Sequence, residues 1–324
     1  MRNKKLLRAV AGAAVCFTML AGAPVAACQT DGSQHEHTYA EAWSSDDTHH
    51  WHNPTCGVVI WYDAISGKTD ASGKSYGTNG SASVTVTNNA TGFTACNITF
   101  KNKYNTLALY KESLKISSSS QAVALLTESA SSAFFNCKFT SYHDTLYSNK
   151  GYHYYKDCWI EGHTDFIFGQ DAVSYFDNCT IYSIGAGAEE KNGGYIAAYQ
   201  NTTTEFGPIF NGCDFTSDDN VKAGSIALGR AWGKEFKMVV INSDISDRYS
   251  KAAHTAGTQQ GQRYCTMSGN EPKPANMIEA NNTGDGAITA SLDNTCTYDE
   301  AALETYGLAN LSSLLKVTPV NPNA

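Results

Sequence analysis

The sequence predicts an all-β protein, a right-handed parallel β-helix that ends in a short C-terminal helix. Six short segments, rich in aromatic and β-branched residues, recur along the chain with a small residue at the centre of each. The six centres are Cys96, Cys137, Cys158, Cys179, Cys213 and Ser243. Intervals of 41, 21, 21, 34 and 30 residues separate them, as expected if the rungs of a solenoid are fixed and its loops vary.

The second observation is the scarcity of helical patterning. Gly, Asn, Ser and Thr interrupt the chain, and an extended 3.6-residue periodicity survives only at 299–316, where we expect the helix. An antiparallel sandwich is the alternative all-β fold. It requires tight two-residue turns at regular intervals, and these are scarce in the sequence.

The third observation concerns two acidic residues that share the spacing of the cysteines. Asp144 and Asp165 are 21 residues apart, and each lies seven residues after a cysteine. If 21 residues form one rung, the two carboxyl groups stack at the inter-strand distance of about 4.8 Å. Either acid alone could simply accept backbone N–H groups. Because two such close acids cannot both ionise freely, the pair is predicted to divide into an acid and a nucleophile or base.

The N-terminus indicates export. Residues 1–27 combine four basic residues with a long uncharged stretch, which is typical of a secretory signal peptide. The sequence before Cys28 also resembles a bacterial lipobox, so a cell-surface or outer-membrane lipoprotein anchored by lipid at Cys28 and a freely secreted protein both remain open. We divide the rest into a linker and His/Trp-rich segment at 28–56, a solenoid at 57–316 and a tail at 317–324.

The charge of the exported chain limits its partners. The formal net charge is −8, and without the signal segment 19 basic residues remain against 31 acidic ones, a charge of −12. Such a surface excludes nucleic acid as a partner and repels polyanions, whereas an esterified, neutral polymer is not repelled.

The cysteines predict disulfides. Ten are present, and eight remain beyond Cys16 and Cys28. An even number in an exported chain favours bridges. The favoured pairs are Cys158 with Cys179, Cys96 with Cys137, and Cys265 with Cys296, although Cys137 could equally reach Cys158.

Five motifs of the predicted solenoid resemble those of a known family. They are QAVAL at 121–125, SYHDTLY at 141–147, GHTDFIFG at 162–169, LGRAWG at 228–233 and IEANNTGDGA at 278–287. In order, spacing and residue type they resemble the pectin methylesterases, carbohydrate esterases with a parallel β-helix fold. The resemblance extends from about residue 58 to residue 315.

The resemblance implies a role for each catalytic residue. Asp165 is the expected nucleophile toward the methyl ester of a galacturonate unit, and Asp144 the expected acid and base. Arg230 is expected to hold Asp165 ionised, although alone it would more often be a surface ion pair. Gln121 is the expected donor to the oxyanion.

The resemblance also implies a substrate surface of aromatic residues. Trp232, Phe168 and Tyr147 are expected to stack on the sugar rings of methyl-esterified pectin. Phe166 and Phe168 alternate along a strand, so we expect Phe166 to point inward and Phe168 outward. Neither a metal nor another cofactor is needed, and a monomer is expected.

The chain departs from the family at three places. His143 stands where the family has a glutamine, the second oxyanion donor, and a neutral imidazole can donate one hydrogen bond. We therefore expect an additional ionisation in the rate, which His143→Gln abolishes. Ala231 replaces a proline, and the family's Gly-x-Tyr-x-Glu segment is missing upstream of Val58.

The segment at 35–57 resembles a short module of bacterial surface proteins. It contains five histidines and Cys56, which could ligate zinc, but it lacks a paired Cys-x-x-Cys template. We therefore interpret it as a spacer or a fragment of a binding module.

Two rival functions remain. The first is a catalytically impaired pectin-binding or adhesion protein that has kept the groove and its aromatic residues. The second is another solenoid enzyme, a pectate lyase or a polygalacturonase. A lyase would be expected to use calcium and a basic residue, whereas an acid pair followed by Arg230 and Trp232 suits acyl transfer better.

Overall fold

The computed structural model describes residues 58–104, 120–186 and 192–322, and upstream of these only the backbone of five short strands. The rest of the predicted signal peptide and the side chains of Cys16, Cys28, Cys56 and the histidines at 35–57 lie outside the described residues. The five upstream strands are Val10–Ala11, Cys28–Thr30, Ser33–His35, Tyr39–Ser45 and His50–Pro54. None of the described helices is long and apolar enough to cross a membrane.

Three parallel sheets form the body of the protein, as predicted. The first sheet contains Val84–Val86, Leu125–Thr127, Leu146–Ser148, Ile167–Gly169, Tyr195–Tyr199, Ala227–Ala231 and Tyr264–Thr266, with Val10–Ala11 at its edge. The second contains Phe93–Cys96, Ser131–Phe135, Gly151–Lys156, Ala172–Asp177, Gly207–Asn211, Met238–Ile241, Met277–Ala280 and Thr297–Tyr298. The third contains Val58–Tyr62, Ile98–Asn102, Lys138–Thr140, Trp159–Gly162, Thr180–Ser183, Asp214–Ser217 and Asp244–Ile245.

The chain visits the three sheets in turn, and each rung pairs with the next in parallel. Leu125 pairs with Leu146, and Leu146 with Ile167. This pairing confirms that 21 residues make one rung in this part of the chain. The parallel β-helix is therefore the observed fold.

Aromatic rings stack inside the solenoid along the second sheet. The ring centroids of Phe134 and Tyr155 are 5.1 Å apart, those of Tyr155 and Phe176 are 4.7 Å apart, and those of Phe176 and Phe210 are 4.7 Å apart. Each such pair contributes roughly 0.5–1.5 kcal/mol beyond the burial of its area. The ladder holds consecutive rungs in one register.

A ladder of side-chain amides marks the bend between the second and third sheets. The residues at this bend that adopt left-handed backbone angles are Asn97, Asn136, Asp157, Asn178, Gly212, Asn242 and Asn281. Asn and Asp tolerate this conformation better than other non-glycine residues. Asn136 Nδ2 donates to Asn97 Oδ1 at 2.7 Å, and Asn178 Nδ2 donates to Asp157 Oδ1 at 2.7 Å.

The predicted phase of Cys96 is wrong, because Cys96 does not share the position of Cys137 on the neighbouring rung. In the structure Cys96 pairs with Phe135 and Thr99 pairs with Lys138, so Ile98 and not Cys96 occupies the position equivalent to Cys137. Phe135 packs on the outer face of the second sheet, and residues paired in register on neighbouring strands point to the same face. Cys96 accordingly packs on the outer face of the second sheet, whereas Cys137 lies in the interior core.

The predicted disulfides are wrong: all seven cysteines among the described residues are free. Cys137, Cys158 and Cys179 do stack in the core. Stacking in register keeps their Cβ atoms near the strand spacing of about 4.8 Å, beyond the range of roughly 3.5–4.5 Å that a disulfide requires. Their sulfur atoms instead accept hydrogen bonds, since the backbone N–H of Cys158 lies 3.4 Å from Cys179 Sγ.

The other predicted bridges fail because their partners point in different directions. Cys96 and Cys137 lie on opposite faces of the solenoid wall. Cys265 pairs with Arg230 on the outer face of the first sheet, whereas Cys296 lies in the interior core.

The predicted C-terminal helix is two short helices, Ala301–Tyr306 and Leu311–Leu315, joined by the 3₁₀ turn Leu308–Asn310. The extended backbone of Gly307 separates them. They cover the outer face of the second sheet, where the hydroxyl of Tyr175 donates to the carbonyl of Tyr306 at 2.7 Å. The other helices of the described residues are single turns at Gly77–Gly80 and Pro274–Asn276.

We predict that the seven described cysteines carry free thiols in the purified protein. Alkylation of the denatured, unreduced chain followed by mass spectrometry should modify all seven. In the native state alkylation should be slow, because burial raises the pKa of Cys96 and that of Cys265 to about 11. A tryptic fragment that joins any two of the seven would contradict the prediction.

Candidate active site

Two consecutive turns between the third and first sheets carry the predicted acid pair. Asp144 precedes the strand Leu146–Ser148, and Asp165 precedes Ile167–Gly169. The backbone N–H of Asp144 donates to the carbonyl of Thr164 at 3.0 Å. The two acids therefore occupy equivalent positions on neighbouring rungs, as the 21-residue spacing predicts.

Both aspartates adopt left-handed backbone angles, with φ of 61° at Asp144 and 48° at Asp165. Non-glycine residues in this region cost on the order of 1–3 kcal/mol each and cluster at functional sites. Here the conformation repeats on two rungs.

The acid pair is close and nearly sealed from water. Side-chain atoms of His143, Asp144 and Asp165 all lie within 4.8 Å of one another. Asp144 is 7% exposed and Asp165 4% exposed. Two carboxyl groups in this arrangement cannot share the same protonation behaviour.

Arg230 breaks the symmetry of the pair. Its Nε donates to Asp165 Oδ1 at 2.6 Å, and its second terminal nitrogen donates to Asp165 Oδ2. This two-pronged, charge-assisted contact fixes both oxygens of Asp165 and favours its ionised form. Burial alone lowers the pKa of Arg230, but the adjacent Asp165 outweighs burial and raises it, so the guanidinium stays charged.

Asp144 lies in the opposite electrostatic situation. Burial raises the pKa of its carboxyl well above the ordinary value, and the charge of Asp165 raises it further, while Arg230 opposes both. The protonated form of Asp144 is therefore favoured beside the ion pair of Asp165 and Arg230. Both oxygens of Asp165 are thus paired with the cation of Arg230, whereas the carboxyl of Asp144 favours its protonated form.

His143 lies beside Asp144. Its Nε2 is 3.3 Å from Asp144 Oδ1, and its Nδ1 is 3.0 Å from Ser120 Oγ. Burial lowers the pKa of the imidazole to about 4, although Asp165 opposes this shift. The additional ionisation that we expected near neutrality is therefore displaced to acid pH.

Gln121 lies on the preceding rung at the edge of the first sheet. The backbone N–H of its neighbour Ala122 donates to the carbonyl of His143 at 2.9 Å, which places the two predicted oxyanion donors on adjacent rungs. The hydroxyl of Ser66 donates to Gln121 Oε1. That contact orients the amide and, within the described part of the chain, leaves its NH₂ group available as a donor.

The predicted aromatic residues form one cluster on the outer face of the first sheet. The rings of Tyr147 and Phe168 stack at 4.1 Å, and Phe168 lies 6.4 Å from Trp232. Tyr147 is 5% exposed and Phe168 4% exposed, whereas Trp232 is only partly buried. Trp232 therefore offers the accessible ring, with the other two behind it. Phe166 lies in the interior core, so the alternation predicted for Phe166 and Phe168 is confirmed.

Three site residues escaped the sequence analysis. The guanidinium of Arg230 lies 4.2 Å from the ring centroid of Tyr195, whose hydroxyl donates to the carbonyl of Gln259 at 2.6 Å. Ser66 contacts the side chain of Gln121, and Ser120 contacts the ring of His143. No motif marks these three positions, because they contact the predicted site residues through space and not through local sequence.

The cluster of His143, Asp144 and Asp165 has donor types that could hold a cation. Arg230 already occupies both oxygens of Asp165 with a fixed positive charge. A metal ion would have to displace that guanidinium, so the donor set fits an internal ion pair better than a metal.

Comparison with known proteins agrees with this geometry. The family model for Pectinesterase matches residues 54–291. Pectinesterase A of Emericella nidulans is 34% identical over 212 residues, which cover 64% of this chain and 55% of that protein. The chain thus spans about half the length of this curated relative.

Solved structures give the same result. The pectin methylesterase from Yersinia enterocolitica superposes with a TM-score of 0.61 at 30% identity, covering 78% of this chain and 83% of that one. The Aspergillus niger pectin methylesterase superposes with a TM-score of 0.60 at 27% identity, covering 82% and 76%. With fold, acid pair and family match in agreement, the chain belongs to the pectinesterase family.

Proposed function

We propose that this chain hydrolyses the methyl esters of polygalacturonate in pectin, yielding pectate and methanol. The observation that carries the proposal is the asymmetry of the acid pair. Arg230 holds Asp165 as an anion with both oxygens fixed, while burial keeps a proton on Asp144. A nucleophile and an acid thus lie side by side, which suits acyl transfer.

In the first half-reaction an oxygen of Asp165 attacks the ester carbonyl carbon and forms a tetrahedral intermediate. The intermediate collapses when the bond to the methoxy group breaks. Asp144 transfers its proton to the departing oxygen, so methanol leaves and an acyl-enzyme anhydride remains on Asp165.

In the second half-reaction Asp144, now ionised, takes a proton from water. The resulting hydroxide attacks the acyl carbonyl and releases the carboxylate of Asp165, which returns to Arg230. The product is a galacturonic acid unit, and Asp144 regains its proton for the next cycle.

The oxyanion of both intermediates requires hydrogen-bond donors. Gln121 and His143 lie on adjacent rungs beside the acid pair and supply an amide and an imidazole N–H. Trp232 offers a partly exposed ring on the same face of the first sheet, where a sugar ring can stack.

We predict that Asp165→Asn reduces methanol release from methylated pectin by on the order of 10⁴-fold or more, since it removes the nucleophile. Methanol is measured directly with the purified chain. Asp214→Asn is the matched control, because Asp214 is an exposed acid on the third sheet, far from the pair.

Substantial methanol release by the Asp165 variant would exclude this nucleophile. If the unaltered, folded chain binds methylated pectin but releases no methanol, the adhesion function is correct and the esterase proposal is wrong.

The protonation states predict a bell-shaped pH dependence of kcat/KM. The raised pKa of Asp144 sets the alkaline limb, because the acid must be protonated when methanol leaves. His143, with its pKa lowered to about 4, contributes to the acid limb as the imidazole gains a second proton. His143→Gln should therefore simplify the acid limb and leave the alkaline limb in place. An alkaline limb that persists unchanged in Asp144→Asn would contradict the assignment.

We predict that Asp144→Asn makes the protein more stable at neutral pH while it lowers activity. The pKa of Asp144 is higher in the folded than in the unfolded chain, so the ionisation available to the unfolded state opposes folding above about pH 4. The amide avoids this cost, and the advantage should disappear below about pH 4. Thermal unfolding followed across this pH range measures the effect. A lower Tm for the variant at neutral pH would show that the carboxyl group stabilises the fold.

A further inference from the structure

A buried serine lies directly behind the histidine that replaces the family's glutamine. Ser120 Oγ is 3.0 Å from His143 Nδ1, and the two residues are 3% and 6% exposed. The opposite ring nitrogen, Nε2, lies 3.3 Å from Asp144 Oδ1. The imidazole therefore connects Ser120 to the acid of the catalytic pair.

The chemistry of this contact depends on which ring nitrogen carries the hydrogen. Burial lowers the pKa of the ring to about 4, so the ring is neutral at neutral pH. A neutral imidazole has one N–H donor and one bare acceptor nitrogen. The tautomer decides whether Nε2 donates into the site or accepts from it.

A bare Nε2 conflicts with the proposed reaction. It would accept a hydrogen bond from protonated Asp144 and hold the proton that has to reach the departing methoxide. It would also present a lone pair, and no donor, to a developing oxyanion. A protonated Nε2 avoids both problems and supplies an N–H as a glutamine amide does.

The hydroxyl of Ser120 is placed to support the form with hydrogen on Nε2, since a serine hydroxyl can donate to a bare Nδ1. When it donates to Nδ1, that nitrogen must be bare, and the ring hydrogen lies on Nε2. An amide side chain needs no such partner, because its donor and acceptor ends are chemically fixed.

We propose that Ser120 is a positioning residue that donates its hydroxyl hydrogen to His143 Nδ1 and so holds His143 in the Nε2–H tautomer. The serine and histidine together replace the single glutamine of the family. This inference rests on the proposed esterase function for its catalytic consequence, but the tautomer itself is a property of the resting protein.

The tautomer is tested first, without substrate. The full chain is labelled at its histidine ring nitrogens, and the His143 signals are identified among the nine histidines by their loss in His143→Gln. At neutral pH we expect a protonated-type shift at Nε2 and an acceptor-type shift at Nδ1. Ser120→Ala should give averaged shifts from mixed tautomers, while Ser120→Thr should keep the original pattern. A protonated Nδ1 in the unaltered chain would overturn the proposal.

Kinetics give the second test through a double-mutant cycle. Loss of one buried hydrogen bond predicts that Ser120→Ala lowers kcat about five- to tenfold with little change in KM. Ser120→Thr should restore kcat. In the His143→Gln background, Ser120→Ala should change kcat less than about twofold, because the amide needs no tautomer control. Equal losses in both backgrounds would show that Ser120 acts only through structure.

Ser129→Ala is the matched control, since Ser129 is also a buried serine and donates to the backbone carbonyl of Ser131 at 3.1 Å, away from the acid pair. Its activity and its His143 shifts should match those of the unaltered chain. If the unaltered chain releases no methanol, the esterase function fails while the nitrogen shifts still decide the tautomer.

Discussion

The ion pair between Arg230 and Asp165 is the interaction on which the site depends. Removing one partner of a buried ion pair costs roughly 3–5 kcal/mol, because the other charge is left uncompensated. Here the pair also determines chemistry, since the negative charge that Arg230 stabilises on Asp165 favours protonation of Asp144. The stacked ring of Tyr195 supports the guanidinium from its other face. A single cation thus distinguishes two similar carboxyl groups, which we propose act as nucleophile and acid.

The solenoid is what brings these partners together. Arg230 is 65 residues beyond Asp165 in the chain, yet only two rungs away along the first sheet. The aromatic ladder inside the second sheet and the amide ladder at its end hold the rungs in a fixed register. This rigid frame can support two left-handed aspartates, each of which would be unfavourable in isolation. The repeated contacts between rungs offset the unfavourable backbone angles of the two aspartates.

The replacement of a glutamine by His143 shows how one substitution involves its neighbours. An amide has a fixed donor, whereas an imidazole must be kept neutral and in one tautomer. Burial answers the first requirement by lowering the pKa to about 4. The second requirement is the one that we propose the contact with Ser120 meets. If the proposed function is correct, a donor position can therefore change residue type when the surroundings change the behaviour of the new side chain.

The sequence by itself determined the solenoid, the phase of Asp144 and Asp165, and the family motifs that supply Arg230, Gln121 and Trp232, because a repeat spacing and local motifs are written along the chain. Apart from the alternation of Phe166 and Phe168, only the tertiary structure decided the direction and burial of side chains. It showed Cys96 on the outer face, left Cys137, Cys158 and Cys179 unbridged, and placed Tyr195 against Arg230 and Ser120 against His143. These facts depend on contacts between residues far apart in sequence and on exclusion of water, neither of which a one-dimensional spacing specifies.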